Sequence, residues 1–125
     1  MSAVPPDVAP RTAASLRLAP DPGLAATARL FVAAIARRAG AGEERVDDLK
    51  LAVSEAFAAG IAQSSPVEID VTPEDDRVAV RVRGSGVDRA GDAPDAPIGR
   101  LELIRALVGD LETSPGSIGF SVSLA

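Results

Sequence analysis

The stretch 46–64, VDDLKLAVSEAFAAGIAQS, constrains the fold more than any other part of the chain. Leu49, Ala52, Val53, Ala56 and Gly60 recur at i, i+3, i+4, i+7 and i+11, an apolar stripe on a helical period. Such a stripe must be covered by another layer, so the rest of the chain has to pack on this helix. At about 100° per residue, Asp48, Glu55 and Ala59 fall on one flank of the stripe. A carboxylate at Glu55 can look into a cleft beside the core, or it can mark the boundary of an amphipathic helix. Pattern alone favours the boundary, because helices commonly carry acids there.

A chain of 125 residues suits one domain. Only three residues are aromatic, all Phe, so the core must be mostly Ala, Leu, Val and Ile. There is no Cys, which excludes disulfides and thiolate metal sites. There is no His, which removes the commonest general base and metal ligand. No metal site is expected. The net charge is −5 with no Lys/Arg-rich run, so nucleic acid and anionic membrane are disfavoured as partners. No apolar run reaches the roughly 20 residues of a membrane span, and the start of the chain lacks the basic and apolar regions of a signal peptide. A cytoplasmic location is the expectation.

Residues 1–12 hold several prolines and no periodicity and read as a disordered leader, with one domain over 13–125. A short strand is expected over 13–18. Asp21 and Pro22 fit the N-cap and first position of a helix running to Arg38, with Leu24, Ala28, Phe31, Val32 and Ile35 as its apolar face. Gly40 and Gly42 are read as its end. After the long helix, Ser64, Ser65 and Pro66 form a break. VEIDV (67–71) and RVAVRVR (77–83) alternate strictly and read as a hairpin with one solvated face. Residues 84–97 form one long loop, 98–108 a helix, 111–114 and 118–124 strands joined by a Pro115-Gly116 turn. The order β-α-α-β-β-α-β-β implies an α+β, two-layer sandwich: a mixed, mainly antiparallel sheet with helices on one face.

Four features could carry chemistry. Glu55 is the best candidate base in a chain without His. Gly84-Ser85-Gly86 can bring backbone N–H groups close to a ligand, though a glycine-rich turn is commoner. Gly99 opens the last helix, and a helix N-terminus is a non-specific anion site. Asp88, Asp92 and Asp95 are spaced carboxylates in the loop, but not in an EF-hand pattern, and a solvated loop is the better reading.

Taken in order, these segments resemble the GHKL-type ATPase fold in the small version found in anti-sigma-factor serine kinases. DDLKLAVSEAFAAGI is similar to the first helical motif, RVAVRVRGSGVD to the strand ending in Asp-x-Gly-x-Gly, LELIRALVGDLET to the helix after the lid, and GSIGFSVSLA to the closing strand. The resemblance covers about residues 13–125. It implies that Glu55 stands where the family has its base toward a Ser hydroxyl, here as a vestige. The family's Mg²⁺-holding Asn falls on Ala59, which has no oxygen to offer. The Asp that bonds the adenine amino group falls on Gly84. Gly86 keeps one motif glycine and Asp88 replaces the next. Gly-x-Gly-Leu before the last helix reads Ile98-Gly99-Arg100-Leu101, where Arg100 could offer charge. The resemblance thus implies a regulator that binds a sigma factor or an anti-anti-sigma (STAS-type) protein, without a cofactor. Because relatives pair, it also implies a homodimer. The alternative is a divergent ATP- and Mg-dependent serine kinase using Glu55. A third reading is a same-fold domain with a partner outside sigma regulation. Under the first reading, Ala59 and Ile98 would fill the space where ATP would sit.

Overall fold

The computed structural model describes residues 13–89 and 99–124. The expected leader, Asp92, Asp95 and Ile98 lie outside the described residues. Five strands form one sheet: β1 (Ala14–Leu18), β2 (Val67–Pro73), β3 (Arg77–Arg83), β4 (Asp110–Ser114) and β5 (Ser117–Ser123). Three α-helices, α1 (Ala25–Arg38), α2 (Glu43–Ala62) and α3 (Arg100–Val108), pack on one face. The strand order is β1-β2-β3-β5-β4. All four pairings are antiparallel, so among the described residues the sheet has no parallel component and the expected mixture is absent.

The alternation in the hairpin strands sets the two faces. Val67, Ile69 and Val71 of β2 pair in register with Val82 and Val80 of β3 and with β1, and all point into the core. Ile118, Phe120 and Val122 of β5 continue that face. Against it α2 sets Val46, Leu49, Val53, Ala56 and Phe57, all fully buried. Each large aliphatic or aromatic side chain placed there contributes about 1.5–3 kcal/mol of burial. The core is mostly aliphatic, with Phe57 and Phe120 as its aromatic members.

The helices depart from expectation in ways that have local causes. Asp21 does cap, with its Oδ1 accepting from Gly23 N at 2.8 Å, but it caps a single 3₁₀ turn (Pro22–Leu24) that leads into α1. The buried stripe of α1 is Ala28, Val32, Ala33 and Ala36, rotated from the expected face, since small Ala side chains let α1 lie close against α2. Leu24, Phe31 and Ile35 are partly buried at its side. Gly40, at φ +98°, reverses the chain after α1, whereas Gly42 is the N-cap of α2 rather than part of the end of α1. Glu43 and Glu44 follow in the first turn, where anions suit the helix dipole. Glu43 also accepts Nε and Nη2 of Arg37 at 3.0 and 2.8 Å, closing the α1–α2 connection. At its other end α2 stops at Ala62, and Ser64, at φ +54°, turns the chain just beyond it.

The second sheet face is polar. Ser15, Asp70, Arg81, Gly119 and Glu112 run in register across all five strands. Arg83 pairs with Asp70 at 2.6 Å and with Glu68 at 3.1 Å, and Arg17 also reaches Glu68.

Candidate functional site

The C-terminal half of α2, the end of β3 and the turn beyond it converge. Ala59 is only 4% exposed, Glu55 is half-buried one turn earlier, and Gly60 lies on the buried stripe. A Cβ on Gly60 would stand 2.3 Å from Cγ2 of Val67 and 3.6 Å from Cγ1 of Val87. A Cβ on Gly84 would meet the Pro66 carbonyl oxygen at 3.0 Å and the same two valines at 3.6 Å. Gly86 has φ +83°, and a Cβ there would meet Gln63 Cγ at 2.3 Å and the Ala59 carbonyl oxygen at 3.5 Å. The structure therefore brings Ala59, Gly84 and Gly86 together, through glycines that allow backbone and valine side chains to touch.

Three backbone donors of this turn are used within the chain. Gly84 N donates to Gly116 O at 2.9 Å, Ser85 N to Ser65 Oγ at 3.1 Å, and Val87 N to Gly84 O at 3.3 Å. Val87 is fully buried and opens a 3₁₀ turn (Val87–Arg89). Asp88 does not hang in a solvated loop. Its Oδ1 accepts from Gly116 N at 3.0 Å in a part-buried bond. Gly116 is thus held from both sides, its carbonyl by Gly84 and its N–H by Asp88. A carboxylate is suited to this because an amide donor bonded to charge is stronger than one bonded to a neutral acceptor.

Gly99 is the N-cap of α3 in an extended conformation (φ −62°, ψ 149°), and its carbonyl accepts from Leu103 N at 3.0 Å. Arg100 is the first helical residue. α3 packs along α2 and buries Ile104. Among the described residues no group of three or more Asp or Glu is placed to hold a metal ion, and no helix is long and apolar enough to cross a membrane. Two carboxyls sit below the usual carboxylate range, both on the surface. Glu43 is lowered mainly by its hydrogen bond from Arg37, and Asp76 mainly by that from Arg77.

One arrangement went unread in the sequence. Gly119 stands inside the alternating strand β5 opposite Arg81, and the Arg81 side chain lies across it. A glycine within a strand pattern signals a close approach by another group, and that was the available clue.

The fold and this geometry are those of an ATPase-like α+β sandwich. A family model, the histidine kinase-like ATPase domain, matches residues 18–118. The chain belongs to that family and has its GHKL-type fold. No curated protein matches it.

Proposed function

We propose that this domain is an anti-sigma-factor-like regulator that sequesters a protein partner and no longer uses ATP. The partner is a sigma factor or a STAS-type antagonist of one, and by the same resemblance the working form is a homodimer. The observation that carries the reading is the turn after β3, where three N–H groups are already engaged. They belong to Gly84, Ser85 and Val87 and are bonded inside the chain.

Residue identity points the same way. Ala59 offers no oxygen to Mg²⁺. In the ungapped register Gly84 takes the adenine-binding Asp position, and a side chain there would press on the Pro66 carbonyl. If Gly84 and Gly86 are instead matched to the two motif glycines, the Asp position falls on Val82, which is fully buried in the core. Neither register supplies a carboxylate. An adenine amino group left without its partner costs roughly 1–3 kcal/mol. These residues do not fit Mg-ATP, and no phosphoryl-transfer step is assigned to Glu55.

Two measurements test the reading. Thermal melting in millimolar Mg-ATP should leave the midpoint unchanged. A ligand at a hundred times its Kd would add about 2.7 kcal/mol, which is easily seen. A saturable rise would favour the divergent kinase with Glu55 as its base. A pull-down from the native cell extract should retain a sigma factor or a STAS-type protein. Retention of neither would direct attention to partners outside sigma regulation.

A further inference from the structure

We infer that the polar sheet face is a second recognition surface, built to take an aromatic side chain from a basic segment of another protein. The centre of this surface is Arg81. An ideal Cβ on Gly119 would lie 2.6 Å from Nη2 of Arg81, 3.1 Å from Cζ and 3.5 Å from Nη1. Those distances put it on one face of the guanidinium plane, beneath Nη2, so the group covers the glycine. Its edges are engaged: Nη1 donates to Ser117 Oγ at 2.7 Å, and Nη2 stands 3.6 Å from Glu112 Oε2. What remains open is the outer face of the plane, on a side chain 41% exposed. A fixed guanidinium face stacks on aromatic rings.

The surroundings suit such an occupant. Thr72, Ala79, Gly119 and Ser121 line a groove of about 620 Å³ next to Arg81, a volume within the range of small-ligand sites. Asp70, Glu74, Asp110 and Glu112 also line it, against Arg77 and Arg81 as its two cations. Acids outnumber bases there, so the residues flanking the ring should be Lys or Arg. The ring must come from another protein. The chain has no Trp or Tyr, and of its three Phe, Phe57 and Phe120 are buried and Phe31 packs against the core. A second copy of the chain offers only Phe31, which is partly buried against its own core.

The absence of Trp and Tyr makes the test direct, because the protein is dark under tryptophan excitation. Lys-Trp-Lys amide, titrated with the 125-residue chain, should show a saturable change in emission. Arg81→Gln should weaken binding about tenfold, as expected for loss of a cation–π contact. Arg81→Lys keeps the charge without the planar face and should be weakened too, which covers the case in which the Gln variant does not fold. Lys-Ala-Lys amide should fail to compete. A titration without saturation would overturn the inference, as would equal binding by the folded Arg81 variants or equal competition by Lys-Ala-Lys. The inference needs neither ATP nor a sigma factor. Its failure leaves the sequestering reading to its own pull-down, and a failed pull-down leaves this surface to the titration.

Discussion

At the scale of single residues, the glycines decide most. Gly60 sits in the last turn of α2, still inside the helix, where Ala would ordinarily be better by up to about 1 kcal/mol. Here the propensity gain loses, because the new methyl would press into Val67 Cγ2 in a fully buried contact. Overpacking of that kind costs about 1–3 kcal/mol. Gly60→Ala should therefore lower the unfolding free energy by about 1 kcal/mol, read as a shifted urea midpoint with unchanged slope. Gly42, whose Cβ would meet nothing within 4 Å, is the control that should not show this overpacking penalty. Ala59 is the second decisive residue. Restoring the family's oxygen by Ala59→Asn places an amide at a position only 4% exposed. An unpartnered buried amide costs about 1–3 kcal/mol. The variant should melt lower than the parent and gain no stabilisation from Mg-ATP. A nucleotide-dependent rise in that variant would show that a single side chain separates this domain from an ATP-binding one.

At the scale of elements, the turn between β4 and β5 is held by a residue far from it in sequence. Asp88 accepts from Gly116 N while Gly84 N donates to Gly116 O. Removing the acceptor with Asp88→Ala leaves a part-buried N–H with a lost charge-assisted partner, at a cost of about 1–2 kcal/mol. Asp88→Asn keeps an acceptor and should cost less, and amide exchange at Gly116 should rank the three proteins in the same order. This element also shows where the sequence stops being legible. The hairpin β2–β3 and the stripe of α2 were readable because each depends on a period within one segment. The role of Asp88 depends on a partner 28 residues away, and no local pattern encodes such a contact. For the same reason the α1 face was read mainly from its large residues, although Ala33 and Ala36 are buried while Phe31 and Ile35 are only partly so. The cluster at Ala59, Gly84 and Gly86 was reached through family resemblance, whereas the groove over Gly119 had only one glycine as its signal.

At the scale of the molecule, the ionisable groups of the described residues lie outside the core, and their distribution shapes the response to pH. The chain contains no His, so no side chain has an ordinary pKa between about 5 and 8. The carboxyls with a resolved shift, Glu43 and Asp76, are both lowered, by Arg37 and Arg77 respectively. A lowered folded pKa stabilises the protein at pH above the unfolded value, about 4 for these groups. That contribution disappears as pH falls through the unfolded value and then through the lower folded one. Because both pairs are fully exposed, salt should screen them. The urea midpoint should accordingly stay level from pH 8 down to about 5 and fall below pH 4, with Arg37→Ala and Arg77→Ala flattening the fall. In 1 M salt the part of the fall contributed by these pairs should shrink. A midpoint that moved between pH 8 and 6 would mean that a group with an unusual pKa is coupled to folding.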